Sequence, residues 1–137
     1  MGKYRIPSER SKYYLPKQDY LTAIHFSLRY PLWEKEIKEL ADTSKAIAYD
    51  KDKVQTSGDY DSTFEAAVKL SECKANQNMK LVDEVIALVA DGLDKYLRGG
   101  VCFGLNFNQL KGMGMPCERD YYYQMRRHYY YELIKRI

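Results

Sequence analysis

Residues 104–133 read GLNFNQLKGMGMPCERDYYYQMRRHYYYEL, and they contain the most informative structural pattern in the chain. Asn106 can cap a helix, and the side chain of Gln109, three residues on, can reach back to the Asn106 amide. We expect this helix to stop within residues 112–114, where two glycines flank a methionine, and a last helix to open at Pro116 or Cys117. Apolar residues then recur along one face of the last helix at spacings of 3, 4 and 4, as Tyr122, Met125, Tyr129 and Leu133. The stretch predicts a short helix, a glycine turn and a long helix.

The rest of the chain also has helical spacing, so the sequence predicts an all-α fold. Residues 1–14 contain charged residues and tyrosines that follow neither helical nor strand periodicity, and we expect them to form a basic tail. Residues 15–41 predict a helical hairpin, broken at Tyr30-Pro31. Residues 42–61 contain five aspartates and few large apolar side chains, which favours a connector and a domain boundary.

A long central helix is predicted to open the second domain, residues 62–137, whose last part, about 92–137, contains the helix-turn-helix. The central helix has one apolar stripe, made of Phe64, Val68, Ala75, Met79, Val82, Ile86, Val89 and Leu93. The stripe either packs against the hairpin or forms the seam of a homodimer.

Charge is distributed unevenly along the chain. Residues 1–20 have a net charge of +3, residues 21–110 a net charge of −3, and residues 111–137 a net charge of +3. Basic ends favour an anionic partner, nucleic acid first, although short basic tails are often only solvated surface.

Several classes of protein are excluded by what the sequence lacks. No apolar run is long enough for a membrane helix, and the amino end has no apolar signal core, so we expect no membrane partner and a location inside the cell. Three widely spaced cysteines favour reduced thiols. Neither His25 nor His128 stands at a metal-ligand spacing from another candidate ligand. The glycine patterns do not match those of nucleotide-binding loops. We therefore expect no metal, no cofactor and no enzymatic activity.

The closing block has what a DNA-binding helix-turn-helix needs, because a second helix rich in Arg, Gln and Tyr can enter the major groove. Residues expected on its outer face are Arg119, Asp120, Tyr121, Tyr123 and Gln124 early, and Arg126 and Arg127 later. We expect Arg119, Tyr123 and Gln124 to read bases, and Lys111, Arg126 and Arg127 to hold phosphate. A plain helical bundle, which also uses glycine turns, is the alternative.

Over residues 28–137 the chain resembles small phage-encoded transcriptional regulators of the RinA and ArpU kind. The resemblance rests on Val54-Gln55-Thr56-Ser57, the long helix behind it and residues 104–133. The closing block also resembles region four of sigma factors, with Gly114-Met115 at its turn. The resemblance implies that the early outer residues of the last helix read double-stranded DNA. It further implies a non-enzymatic regulator of phage or prophage genes, acting in the cytoplasm of a host bacterium and touching host RNA polymerase.

Two other functions fit the same residues. One is a phage protein-interaction module, such as an inhibitor of a host protein, with the tyrosines as its contact face. The other is a DNA-packaging or replication accessory protein, which would use the same helices but assemble into a larger oligomer.

Overall fold

The computed structural model describes residues 9–54 and 73–137, with side chains for residues 9–42 and 73–137. These residues form α-helices and connecting turns, with no strand among them, which confirms the all-α class. The helices are α1 (Lys17–Ser27), α2 (Tyr30–Val54), α3 (Lys74–Ala90), α4 (Asp94–Phe103), α5 (Phe107–Gly112) and α6 (Arg119–Ile134).

The chain divides into two compact units, whose boundaries differ from the expected domains. One unit comprises Met1–Tyr30 with Leu81–Ile137, and the other comprises Pro31–Lys80. Helix α1 therefore belongs with the C-terminal helices, and the predicted hairpin is split between the units.

The predicted connector, residues 42–61, is wrong over its first part, because α2 continues to Val54. Residues 42–54 include several Lys and Ala, which are good helix formers even where large apolar side chains are few. The remaining connector residues, 55–61, and the predicted start of the central helix, with Phe64 and Val68, lie outside the described residues.

Helix α6 lies at the centre of the first unit. It packs against α1 and α4, while α4 also contacts α1 and α5. The side chains predicted to face inward on α6, namely Tyr122, Met125, Tyr129 and Leu133, are all buried, and so is Tyr130. The predicted apolar stripe of the last helix is therefore confirmed, and it serves as core of the unit.

A buried pair of hydroxyls joins α1 to α6. The Ser27 hydroxyl donates to the Ala23 carbonyl oxygen at 3.0 Å, so its single proton is engaged. The Tyr129 hydroxyl lies 2.8 Å from Ser27 Oγ and therefore donates its proton to Ser27 Oγ. Both residues are fully buried, and each hydroxyl has a partner, as burial of polar groups requires.

A sharp turn at Asp91 and Gly92 separates α3 from α4, and both residues have positive φ, 46° and 89°. Leu93, which we expected at the end of the central stripe, instead precedes α4. In the first unit the stripe residues Val82 and Ile86 are fully buried. This burial favours core packing over a dimer seam for that part of α3.

Side-chain hydrogen bonds also link α3 and α4 to Tyr30, the last residue of the N-terminal part of the first unit. The Arg98 guanidinium donates to Asp83 Oδ1 at 2.9 Å, and the Tyr30 hydroxyl donates to the same oxygen at 3.0 Å. Burial, followed by the hydrogen bond with Asp83, raises the pKa of Tyr30 to about 12. The phenol therefore stays protonated and keeps its role as a donor.

The junction of α4 and α5 follows the sequence prediction closely. Gly104, in the left-handed region at φ 72°, ends α4. The Gln109 amide donates to Asn106 Oδ1 at 2.8 Å, and the Asn106 amide donates to Gln109 Oε1 at 2.9 Å. This reciprocal pair is the predicted capping box, and it fixes where α5 begins.

Candidate nucleic-acid interface

The segment between α5 and α6 is longer than a tight turn. Helix α6 begins at Arg119 and not at Pro116 or Cys117, so residues 113–118 connect the two helices. A DNA-binding helix-turn-helix usually has a turn of about three or four residues. Gly114 supplies the backbone reversal with a φ of 97°.

Hydrogen bonds within the chain stabilise this longer turn. The Lys111 ammonium donates to the Met115 carbonyl oxygen at 3.2 Å and to the Cys117 carbonyl oxygen at 3.1 Å. Met115 is buried, and its amide donates to the Leu110 carbonyl oxygen at 3.2 Å. We expected Lys111 to contact phosphate. In the structure its ammonium stabilises the turn that positions α6.

The outer face of α6 begins with exposed side chains, as expected from the sequence. Arg119, Asp120, Tyr121 and Gln124 are all exposed, and Tyr121 shows 49% of its surface to solvent. Asp120 lies in the first turn, where a carboxylate is favoured by the helix dipole. These four side chains can reach a partner placed along the first two turns of the helix.

Arg119 lies over aromatic rings contributed by α5 and α6. Its guanidinium carbon is 5.2 Å from the Phe107 ring centroid and 6.0 Å from that of Tyr123, within cation–π range. Tyr123 is half-buried, with its ring 5.2 Å from the ring of Tyr122. Tyr123 therefore supports Arg119 and is less available to a partner than the sequence suggested.

The neighbouring arginines Arg126 and Arg127 have different environments. We expected both on the outer face, and for Arg126 this is wrong. Its Nε is removed from solvent and has no hydrogen-bond partner among the described residues, and its guanidinium carbon lies 5.7 Å from the Tyr130 ring centroid. Arg126 follows Tyr122 by four residues and precedes Tyr129 by three, so it shares the buried stripe.

The charge of Arg126 is retained in this setting. Burial alone would lower its pKa, but the phenol groups of Tyr130 and Tyr122 outweigh that effect, so the pKa of the guanidinium is raised. Arg127 is also half-buried and likewise forms no ion pair with any residue that the structure describes, but it has neither the buried Nε nor the tyrosine ring contact of Arg126. Of the two arginines, Arg127 is the one available to an anionic partner.

Part of the expected basic tail packs against α6. The Tyr13 ring stacks on the His128 ring, with centroids 4.4 Å apart and planes at 16°, and its centroid is 5.8 Å from that of Tyr131. Leu15 is buried, and the Tyr14 amide donates to the Ser11 carbonyl oxygen at 3.2 Å. The described end of the tail is therefore docked, while residues 1–8 lie outside the described residues.

Docking of Tyr13 creates a cleft beside the outer face of α6. The cleft has a volume of about 220 Å³ and is lined by Tyr13, Val89, Tyr121, Gln124, Met125 and His128. The sequence predicted no metal-ligand role for His128 and gave no sign of its contact with Tyr13. Periodicity cannot reveal a contact between residues more than a hundred positions apart.

The basic residues at the end of α6 share one local carboxylate, that of Glu132. Glu132 accepts hydrogen bonds from Arg136 at 3.0 Å and from Lys135 at 3.4 Å, and His128 Nε2 lies 3.7 Å away. The hydrogen bond from Arg136 is the main reason that the pKa of Glu132 is lowered. These two cations therefore contribute less to an anion-binding surface than a count of charges suggests.

Two features are absent from the part of the chain that the structure describes. The described residues contain no group of three His, Cys, Asp or Glu side chains arranged to hold a metal ion. None of their helices has the length and apolar character needed to span a bilayer.

Comparison with known proteins gives one result. The chain matches no protein-family model, no curated protein and no solved structure. The site must therefore be interpreted from its own geometry.

Proposed function

We propose that the protein is a non-enzymatic regulator of transcription that binds specific double-stranded DNA, with α5, residues 113–118 and α6 acting as a helix-turn-helix. One observation carries the proposal. Arg119, Tyr121, Gln124 and Arg127 point away from the core on a single helix, directly after a turn braced by Lys111. A recognition helix needs this combination of a rigid approach and outward polar side chains.

Each outward side chain has chemistry suited to duplex DNA. Gln124 can pair with adenine through two hydrogen bonds, and Arg119 with guanine or phosphate. Tyr121 can contact phosphate or a thymine methyl, and Asp120 can accept from the cytosine amino group. Arg127 is placed to hold phosphate. Arg126 is not part of the proposed interface, because its guanidinium lies among buried tyrosines.

Lys111 retains a part in DNA binding. An ammonium has three N–H donors, and two of them are used on the carbonyls of the turn. The third is available to a phosphate beside α6. Replacing Lys111 should therefore disturb both the turn and the affinity for DNA.

The wider setting also belongs to the proposal. The resemblance to phage regulators supports phage or prophage promoters as targets, the cytoplasm of a host bacterium as the location and host RNA polymerase as a partner. Homodimer formation would match a palindromic operator. Measuring the mass in solution tests that dimer.

An alternative function is a protein-interaction module, for instance an inhibitor of a host protein. It is favoured by the aromatic lining of the cleft, where Tyr13, Tyr121 and His128 meet. Tyrosine is enriched at protein interfaces because its ring packs while its hydroxyl bonds. Failure of the protein to bind DNA at low salt would favour the protein-interaction module. A large ring-shaped oligomer that binds DNA would instead favour a packaging accessory protein.

Selection from a randomised duplex pool, at two salt concentrations, tests the proposed function. We expect one enriched motif and an affinity that falls with salt. Replacing Gln124 with Ala should cost roughly 1–3 kcal/mol on the enriched site and little on random duplex. No enrichment, with no retention at low salt, would contradict the proposal.

A further inference from the structure

We propose that the segment preceding α1 is a second DNA-contacting element, in which Tyr13 docks the chain on α6 while Arg10 and Lys12 hold the phosphate backbone. The inference rests on the proposed function and adds an arm to its interface. It concerns residues 10–13, which lie within the basic N-terminal segment whose charge already favours an anionic partner.

The docking contact lies on the recognition helix itself. Tyr13 stacks on His128, four residues and about one helical turn beyond Gln124. The same tyrosine lines the cleft together with Tyr121 and Gln124. The segment therefore lies beside the side chains proposed to read bases, and a duplex placed on Gln124 would also meet residues 10–13.

The segment carries charge that the described part of the protein leaves unpaired. Arg10 and Lys12 are exposed, and neither forms an ion pair within the described residues. The Lys12 ammonium lies 5.6 Å from the centroid of the Tyr13 ring, which borders the same cleft as Gln124. Because the major groove is only about 12 Å wide, a lysine at this position can reach a phosphate that flanks the groove.

Helix α6 alone offers few cations for this purpose. Lys135 and Arg136 bind Glu132, and Arg126 is turned inward. Phosphate contacts supply a large share of the affinity of DNA-binding proteins. Arg10 and Lys12 would add two such contacts beside the groove. Use of a basic arm next to a recognition helix is a known solution to the same problem in other DNA-binding folds.

The test compares the salt dependence of duplex binding for variants of the full chain. The first, R10Q/K12Q, removes the two charges. A matched control, R29Q/K95Q, removes two exposed cations that no observation places beside α6. We expect the slope of log affinity against log salt to fall by about 1.8 for R10Q/K12Q, at roughly 0.9 per phosphate contact, and by much less for the control.

A third variant, Tyr13→Ala, keeps the charges but removes the docking ring. We expect weaker duplex binding, by about tenfold at low salt, with the same enriched motif. Its His128 ring resonances should shift in the NMR spectrum even without DNA, because the stacked ring is gone. Unchanged His128 resonances would show that Tyr13 is not docked and would overturn the inference.

The outcomes separate the two proposals. Wild-type protein that binds no duplex at low salt would overturn the proposed function and the arm with it. Wild-type binding with equal slopes for R10Q/K12Q and R29Q/K95Q would leave the proposed function standing and overturn the arm alone. In that case the arm's cations face some other partner, such as an acidic protein surface.

Discussion

The contact between Gly100 of α4 and Tyr122 of α6 gives a sharp prediction about how α6 is held. A Cβ atom built on Gly100 would overlap the Tyr122 hydroxyl oxygen, and the next nearest atom would be Tyr122 Cζ at 3.2 Å. Tyr122 is fully buried, so its ring has no open space into which to move. Alanine normally stabilises a helix interior relative to glycine by about 0.5–1 kcal/mol. Here we expect Gly100→Ala to destabilise the protein by about 1–3 kcal/mol, because overpacking outweighs that gain.

The Tyr122→Phe variant isolates the hydroxyl. The Tyr122 hydroxyl oxygen is buried without a hydrogen-bond partner in the described part of the chain, so its removal should have only a small effect on stability, set by the loss of its interaction with the Arg126 guanidinium. In the Tyr122→Phe background, the Cβ of Gly100→Ala meets the ring Cζ of residue 122 at 3.2 Å and Leu110 Cδ1 at 3.5 Å, and most of its cost should disappear. A double-mutant cycle should therefore give a coupling energy of about 1–3 kcal/mol.

Urea unfolding of the four proteins, followed by circular dichroism, measures this cycle. Gly112→Ala serves as the control, since a Cβ there meets nothing within 4 Å, and it should be neutral or stabilising. The packing of α4 against α6 would be refuted if Gly100→Ala were as stable as wild type. It would also be refuted if the full cost of Gly100→Ala persisted in the Tyr122→Phe background.

Three further predictions concern stability. Burial raises the pKa of Tyr129 and Tyr130 above the ordinary value of 10.0. The stability that these two buried phenols contribute is therefore complete below pH 10 and is lost as the pH rises above it. Each should lower the unfolding free energy by about 1.4 kcal/mol per pH unit in that window, and tyrosinate absorbance should appear together with loss of helical circular dichroism. Ser27→Ala should cost about 1–3 kcal/mol in urea unfolding, because it leaves the Tyr129 hydroxyl without its acceptor, whereas an unchanged midpoint would contradict that hydrogen bond. Asn106→Ala should cost about 1 kcal/mol through loss of the cap of α5, and Asn106→Asp should retain most of the stability.

Local chemistry was predictable from the sequence. The reciprocal bonds of Asn106 and Gln109 follow from a spacing of three residues, and the end of α4 at Gly104 follows from the conformational freedom of glycine. The inward face of α6 follows from helical periodicity, which also contained the correct position of Arg126. Charge alone does not distinguish Arg126 from Arg127, whereas their positions on the helix do.

Other features depend on contacts between distant parts of the chain. The stack of Tyr13 on His128 and the hydrogen bond of Ser27 with Tyr129 join residues with no common local pattern. The extension of α2 to Val54 does not follow from apolar periodicity, because residues 42–54 have few large apolar side chains. Counting charges by segment also overstated the basic surface, although the pairs of Glu132 with Lys135 and Arg136 follow from spacings of three and four residues along the helix.

The central claim is that the outer face of α6 binds duplex DNA, and the pair Arg126 and Arg127 tests it most directly. The measurement is the salt dependence of duplex affinity for wild type, Arg127→Gln and Arg126→Gln, with urea unfolding of each protein. We predict that Arg127→Gln lowers the salt slope by about 0.9 without loss of stability, whereas Arg126→Gln changes stability and leaves the slope unchanged. Equal slopes for wild type and Arg127→Gln, or no binding by wild type at low salt, would contradict the claim.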